Sequence, residues 1–225
     1  MIEMNKTSCK KHTLARWSVV LVMLWLTVTR ATALETSDQN VVILGDSISA
    51  AYGMATEDGW VALLQKKLDD QALAVNVINA SVTGDTTSNG LARLPDLLTE
   101  YQPALVIIEL GGNDGLRGLS VKNLKNNLQR MADMSKDVGS DVIIVSVQLP
   151  GNYGKAYNKL FGEAFTTAAE ETDSTLVSSL FEGMSASPKW FQSDGIHPNE
   201  TAQPVMLDNI WQAAEPILEA LSVNR

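Results

Sequence analysis

The sequence predicts an α/β protein, a three-layer α/β/α sandwich built around a parallel sheet in one domain. From residue 41 onward, short β-branched runs alternate with longer segments of helical periodicity. The short runs are apolar almost without interruption, as in parallel strands covered on both faces. No internal repeat, low-complexity segment or linker interrupts the alternation beyond the polar residues 34–39, so the elements belong to a single sheet.

The predicted strands are residues 41–44, 75–78, 105–108 and 142–147, with a weaker fifth at 175–177. Helical spacing relates Trp60, Leu63, Leu64 and Leu68, then Leu91, Leu94 and Leu98, then Val121, Leu124, Leu128 and Met131. Residues 156–171 form a fourth predicted helix, and Met206, Ile210, Ala213, Ile217 and Leu221 mark a closing one.

Ahead of this pattern, Lys6, Lys10, Lys11 and Arg16 precede an apolar run at residues 17–28, followed by Ala31-Thr32-Ala33. This is the order of a secretory signal peptide, so residues 1–33 are expected to be a leader and 34–225 the functional domain. Twelve helical residues rise only about 18 Å, short of a bilayer core of about 30 Å, so no stable membrane insertion is expected after cleavage. The protein is expected in the periplasm or secreted, as a monomer.

Over 225 residues the chain is 45% hydrophobic and 19% charged, with net charge −9, one cysteine and two histidines. Removing residues 1–33 takes away five basic residues and one acid, leaving 12 Lys and Arg against 25 Asp and Glu, no cysteine, and His197 as the one histidine. Such an acidic chain disfavours nucleic acid as a partner. A thiol nucleophile is excluded, and a zinc cage of His and Cys ligands has too few donors.

In an open parallel sheet, ligands gather beyond the carboxyl ends of the strands. The segments that follow the first four strands are Gly45-Asp46-Ser47, the loop from Ser81 to Asp85, Gly111-Gly112-Asn113-Asp114, and the loop from Pro150 to Gly154, all small and polar. Ser47 stands where a strand ends, as either a nucleophile presented to a cleft or the cap of a following helix. Asp194-Gly195-Ile196-His197-Pro198 places a carboxylate three residues before the imidazole, with Gly195 permitting a bend and Pro198 restraining the backbone. This is a base with its orienting acid, or an ordinary histidine. Gly84 offers a closely approachable N–H and Asn113 a side-chain amide, as oxyanion donors or as turn and cap residues.

Taken in order, these blocks resemble the SGNH (GDSL-type) hydrolase family. Ser47, Gly84, Asn113 and Asp194-x-x-His197 match its four motifs. The resemblance extends to residues 43–50, 90–95 and 109–118, and to Asp194-Gly-Ile-His-Pro-Asn199. These look like the multifunctional acyl-CoA thioesterase I, lysophospholipase and arylesterase subgroup, over about residues 40 to 220. The resemblance implies a flavodoxin-like five-stranded sheet of order 2-1-3-4-5 and a serine hydrolase that needs no cofactor or metal. It makes Ser47 the nucleophile, His197 the general base and then acid, and Asp194 its orienter. The Ser47 and Gly84 N–H groups and the Asn113 amide become the oxyanion hole. The expected partner is a small-molecule or lipid ester: aryl, short- or medium-chain acyl, or lysophospholipid.

Three other readings compete. A polysaccharide or cell-wall O-acetylesterase would use the same machinery. A Mg²⁺-dependent phosphotransfer enzyme would use Asp46, Asp85, Asp114 and Asp194 as metal ligands. A flavodoxin-like binding module would use none of them catalytically. The Gly45-Asp46-Ser47-Ile48-Ser49 string lacks the second glycine of the G-x-S-x-G elbow, which argues against the α/β-hydrolase turn.

Overall fold

The computed structural model of the protein describes residues 39–185 and 187–223. The expected leader lies outside the described residues.

Five strands form one all-parallel sheet: β1 (Gln39–Gly45), β2 (Val75–Asn79), β3 (Leu105–Glu109), β4 (Asp141–Val145) and β5 (Thr175–Val177), in spatial order 2-1-3-4-5. Among the described residues six α-helices accompany them: α1 (Trp60–Asp70), α2 (Thr87–Tyr101), α3 (Gly112–Leu116), α4 (Val121–Asp137), α5 (Lys155–Glu171) and α6 (Gln203–Val223). Strand order reverses between β1 and β3, whose carboxyl ends lie side by side with Gly45 opposite Glu109. That is where such sheets bind ligands.

Alternate strand residues feed two separate cores. Val41, Ile43, Leu105, Ile107, Ile143 and Val145 pack with Trp60, Leu64 and Leu68 of α1 and Met206, Ile210 and Leu218 of α6. Leu44, Val106, Ile108, Val142 and Ile144 face the other way, onto Leu94 of α2, Leu124, Leu128 and Met131 of α4, and Phe161 and Phe165 of α5. A side-chain period of two puts apolar residues on both faces, which is why the central strands read as continuous apolar runs. All of β3 is buried, whereas the edge strand β2 exposes Asn76 and Asn79.

Local chemistry fixes several helix starts. Thr86 caps α2 by accepting from Asn89 N, while the Asn89 side chain accepts from Thr86 N, a reciprocal capping box. Ser120 caps α4. At α1 the cap is tertiary: Gln203 Oε1, from the first turn of α6, accepts from Trp60 N at 3.0 Å.

One expectation is corrected and one open alternative is set aside. The strand expected at 142–147 ends at Val145, because its neighbour β5 stops at Val177; one further bond, Ser146 N to Val177 O at 2.8 Å, closes the ladder. No helix starts at Ser47. The Asp46 side chain takes the Ile48 N–H at 3.0 Å, and Ala51 turns to φ +56°, a left-handed conformation that ends any right-handed turn.

Candidate active site

The segments after β1, β2 and β3 meet. Asn113, second residue of α3, donates its side-chain amide to Asp46 Oδ2 at 3.1 Å and to the Asp85 carbonyl at 2.9 Å. Arg117, just past α3, donates to Gly84 O at 3.0 Å. The segment after β4 joins through Tyr153, whose hydroxyl donates to Leu116 O at 3.1 Å.

Ser47 is buried to 9% exposure, and its Oγ lies 3.0 Å from His197 Nε2, across 150 residues of sequence. The other ring nitrogen, Nδ1, is 2.6 Å from Asp194 Oδ2. Asp194 Oδ1 also accepts the backbone N–H groups of Ile196 and His197, at 2.9 and 3.0 Å. These bonds, led by the one to His197, hold the Asp194 carboxyl down at about 2, so it is anionic at any pH above about 4. Gly195 makes the bend with φ +70°.

Among the described residues, neither the Ser47 nor the Gly84 backbone N–H has a hydrogen-bond partner. Gly84 takes φ +85°, a conformation costly for any residue with a Cβ. Its loop is anchored from behind by Arg93 of α2, which pairs with Asp85 Oδ2 at 2.8 Å and also donates to the Ala80 carbonyl.

Beneath the Ser47 turn lie two buried acids. Asp46 is 3% exposed; burial pushes its carboxyl up to about 6, against the opposing effects of the Ile48 N–H, Asn113 and His197. Glu109, at the end of β3, is raised well above the usual carboxylate range, first by burial and then by the Asp46 charge, and accepts from Ser49 Oγ at 2.7 Å.

The four aspartates weighed as metal ligands have separate partners. Asp46 faces Ile48 N and Asn113, Asp85 pairs with Arg93, and Asp194 with His197. Asp114 accepts from Thr87 N and Oγ1, at 2.8 and 2.6 Å. Among the described residues, no group of three or more His, Cys, Asp or Glu side chains is placed to hold a metal ion.

Comparison with known proteins gives the family. The GDSL-like Lipase/Acylhydrolase family matches residues 43–203. The chain belongs to this family. Among its relatives, Esterase TesA of Pseudomonas aeruginosa is 47% identical over 180 residues, which cover 80% of this chain and 90% of that protein. Thioesterase 1/protease 1/lysophospholipase L1 of Escherichia coli K12 is 39% identical over 203 residues, covering 90% of this chain and 94% of that one. The crystal structure of the psychrotrophic esterase EstA from a Pseudoalteromonas species, inhibited by monoethylphosphonate, superposes with a TM-score of 0.77 at 38% identity, covering 81% of this chain and all of that one. Family membership makes this an ester hydrolase.

The sequence gives no sign that Tyr52 meets His197, yet the two rings lie with centroids 4.5 Å apart. Nor does it mark Gln192, or the positioning parts of Arg93 and Thr87. Arg93 falls within a quoted family segment, but its partner Asp85 is eight residues away and nothing local marks the pair.

Proposed function

We propose that this protein is an exported serine esterase that hydrolyses carboxylic esters and thioesters of the aryl, short- or medium-chain acyl or lysophospholipid class. The observation that carries the reading is the continuous chain Ser47 Oγ to His197 Nε2 at 3.0 Å and His197 Nδ1 to Asp194 Oδ2 at 2.6 Å. With Asp194 anionic, Nδ1 carries the proton and Nε2 presents a lone pair to the Ser47 hydroxyl.

In the first half-reaction Ser47 Oγ attacks the carbonyl carbon and its proton passes to His197 Nε2. The carbonyl oxygen, now negative, takes hydrogen bonds from Ser47 N, Gly84 N and Asn113 Nδ2. Both Asn113 amide hydrogens already have acceptors, so the oxyanion shares or displaces the weaker contact, the one to Asp46 at 3.1 Å. The imidazolium then protonates the departing alcohol or thiol, and the acyl group stays on Ser47. In the second half-reaction His197 takes a proton from water, which attacks the acyl carbon; Ser47 regains its proton as the acid leaves.

Relatives bearing esterase, thioesterase and lysophospholipase names support the substrate class. The basic, apolar and small-residue order of residues 6–33 supports export. Among the described residues no helix is long and apolar enough to cross a membrane. The test is Ser47→Ala, expressed with its full leader and recovered from the periplasm. The recovered chain is expected to start at Leu34, and kcat on p-nitrophenyl esters to fall by at least about 10³-fold with folding intact. Full activity in the variant would remove the serine mechanism, and a chain retaining residues 1–33 would remove cleavage.

A further inference from the structure

The nucleophile and its base lie on separate segments 150 residues apart, and their contact is a single hydrogen bond of 3.0 Å. A second polar link joins the same two segments. Gln192 Nε2 donates to the Tyr52 carbonyl at 2.7 Å, on the turn that begins at Ser47, and to the Pro198 carbonyl at 3.1 Å, next to His197. The Gln192 backbone N–H donates to His197 O at 2.8 Å, and Gly195 N donates back to Gln192 O at 3.0 Å. Phe191 and Pro198 form an antiparallel bridge beside it, continued by Asn199 N to Trp190 O at 2.9 Å. The base is thus carried on a narrow hairpin with Gln192 opposite His197.

We infer that Gln192 is a positioning residue for the proposed triad: its side-chain amide ties the Ser47 turn to the His197 hairpin and sets the distance across which the proton moves. The inference rests on the serine mechanism proposed above. A primary amide is suited to this post because its two N–H groups reach two carbonyls at once. A carboxylate of the same length has no donor for either. Fixing the two segments from outside matters because a hairpin at the surface, free to drift by an ångström, degrades the alignment on which proton transfer depends.

The test compares Gln192→Ala and Gln192→Glu with wild type and with Ser47→Ala, on a soluble p-nitrophenyl ester, together with the rate at which a phosphonate ester labels Ser47. Both Gln192 variants are expected to lose about 10- to 100-fold in kcat, with KM within about twofold and labelling slowed in parallel. Cooperative melting and native circular dichroism are expected for Gln192→Glu, which keeps the size of the side chain and so decides the matter if Gln192→Ala folds poorly. Wild-type kcat and labelling in a folded Gln192→Glu would overturn the positioning role while leaving the serine mechanism intact. An active Ser47→Ala would overturn the mechanism itself, whatever Gln192 does. A change confined to KM would make Gln192 a substrate contact and likewise overturn the inference.

Discussion

The two sides of the proposed catalytic site are built by different means. On the proposed oxyanion side, Ser47, Gly84 and Asn113 follow three adjacent strands and rest on a polar network: buried Asp46 under Asn113, Arg93 paired with buried Asp85 behind the Gly84 loop, and buried Asp114 on the first turn of α2. On the base side, Asp194 and His197 ride one hairpin, with side chains 39% and 19% exposed and their support drawn from short-range bonds and Gln192. Donors that stabilise developing charge must be fixed before the reaction, and burial fixes them. A base that exchanges protons with water and with leaving groups works at the edge of the solvent.

The largest way to break this contrast is on the exposed side. Asp194→Asn keeps the size of the side chain but removes the charge, allowing the wrong imidazole tautomer. It is expected to lower kcat by about 10²- to 10⁴-fold with melting temperature nearly unchanged. The loss should be uniform above about pH 4, since the native carboxyl is already ionised there. A kcat within tenfold of wild type would mean that the hairpin orients His197 without the acid.

On the buried side, Asn113→Ala removes one proposed oxyanion donor and is expected to cost about 10²- to 10³-fold in kcat, with KM little changed. It also deprives the Asp85 carbonyl and Asp46 of a donor, so the melting temperature should fall as well, unlike that of Asp194→Asn. If stability were untouched, the buried network would not be the support described for this side. A rise confined to KM would make Asn113 a binding group.

The smallest and most discriminating effect concerns Asp46. Its carboxyl is raised in the fold to about 6 from an ordinary value near 3.8. A raised acid favours the folded state fully below its unfolded value and loses that contribution as pH rises. The contribution of Asp46 is thus complete below about pH 4 and gone above about pH 6, a swing on the order of 3 kcal/mol. Asp46→Asn cannot ionise. The melting temperature of wild type relative to this variant should drop between pH 4 and 6 and then level off, as read by thermal melts in matched buffers. A constant difference across that range would place the Asp46 titration elsewhere.

Much of the candidate site could be read from the sequence because its parts lie at places the fold makes special. Ser47, Gly84 and Asn113 follow strand ends within a few residues, and an alternating pattern locates strand ends. Asp194 and His197 are three residues apart, and a turn can join them without help from the rest of the chain. The supporting contacts were not legible. Gln192 reaches Tyr52 over 140 residues, Asn113 reaches Asp46 over 67, and Asp114 caps a helix 27 residues earlier. A polar side chain carries no local mark of which distant carbonyl it faces. The same limit explains Ser47: a strand followed by Ser reads equally as a capped helix, and the left-handed Ala51 and the bond from Ile48 N to Asp46 decide for a turn.

By itself, the sequence determined the α/β class, the five strands and five of the six described helices, the family motifs, and the short spacing that lets Asp194 meet His197. These follow from hydrophobic period and from short-range geometry, which the chain expresses residue by residue. Tertiary structure alone decided which N–H groups stay unpaired, which acids are buried and raised, and how the hairpin is tied to the nucleophile turn. Those depend on desolvation and on the distance between segments far apart in sequence, and such quantities exist only once the sheet has brought its strand ends together.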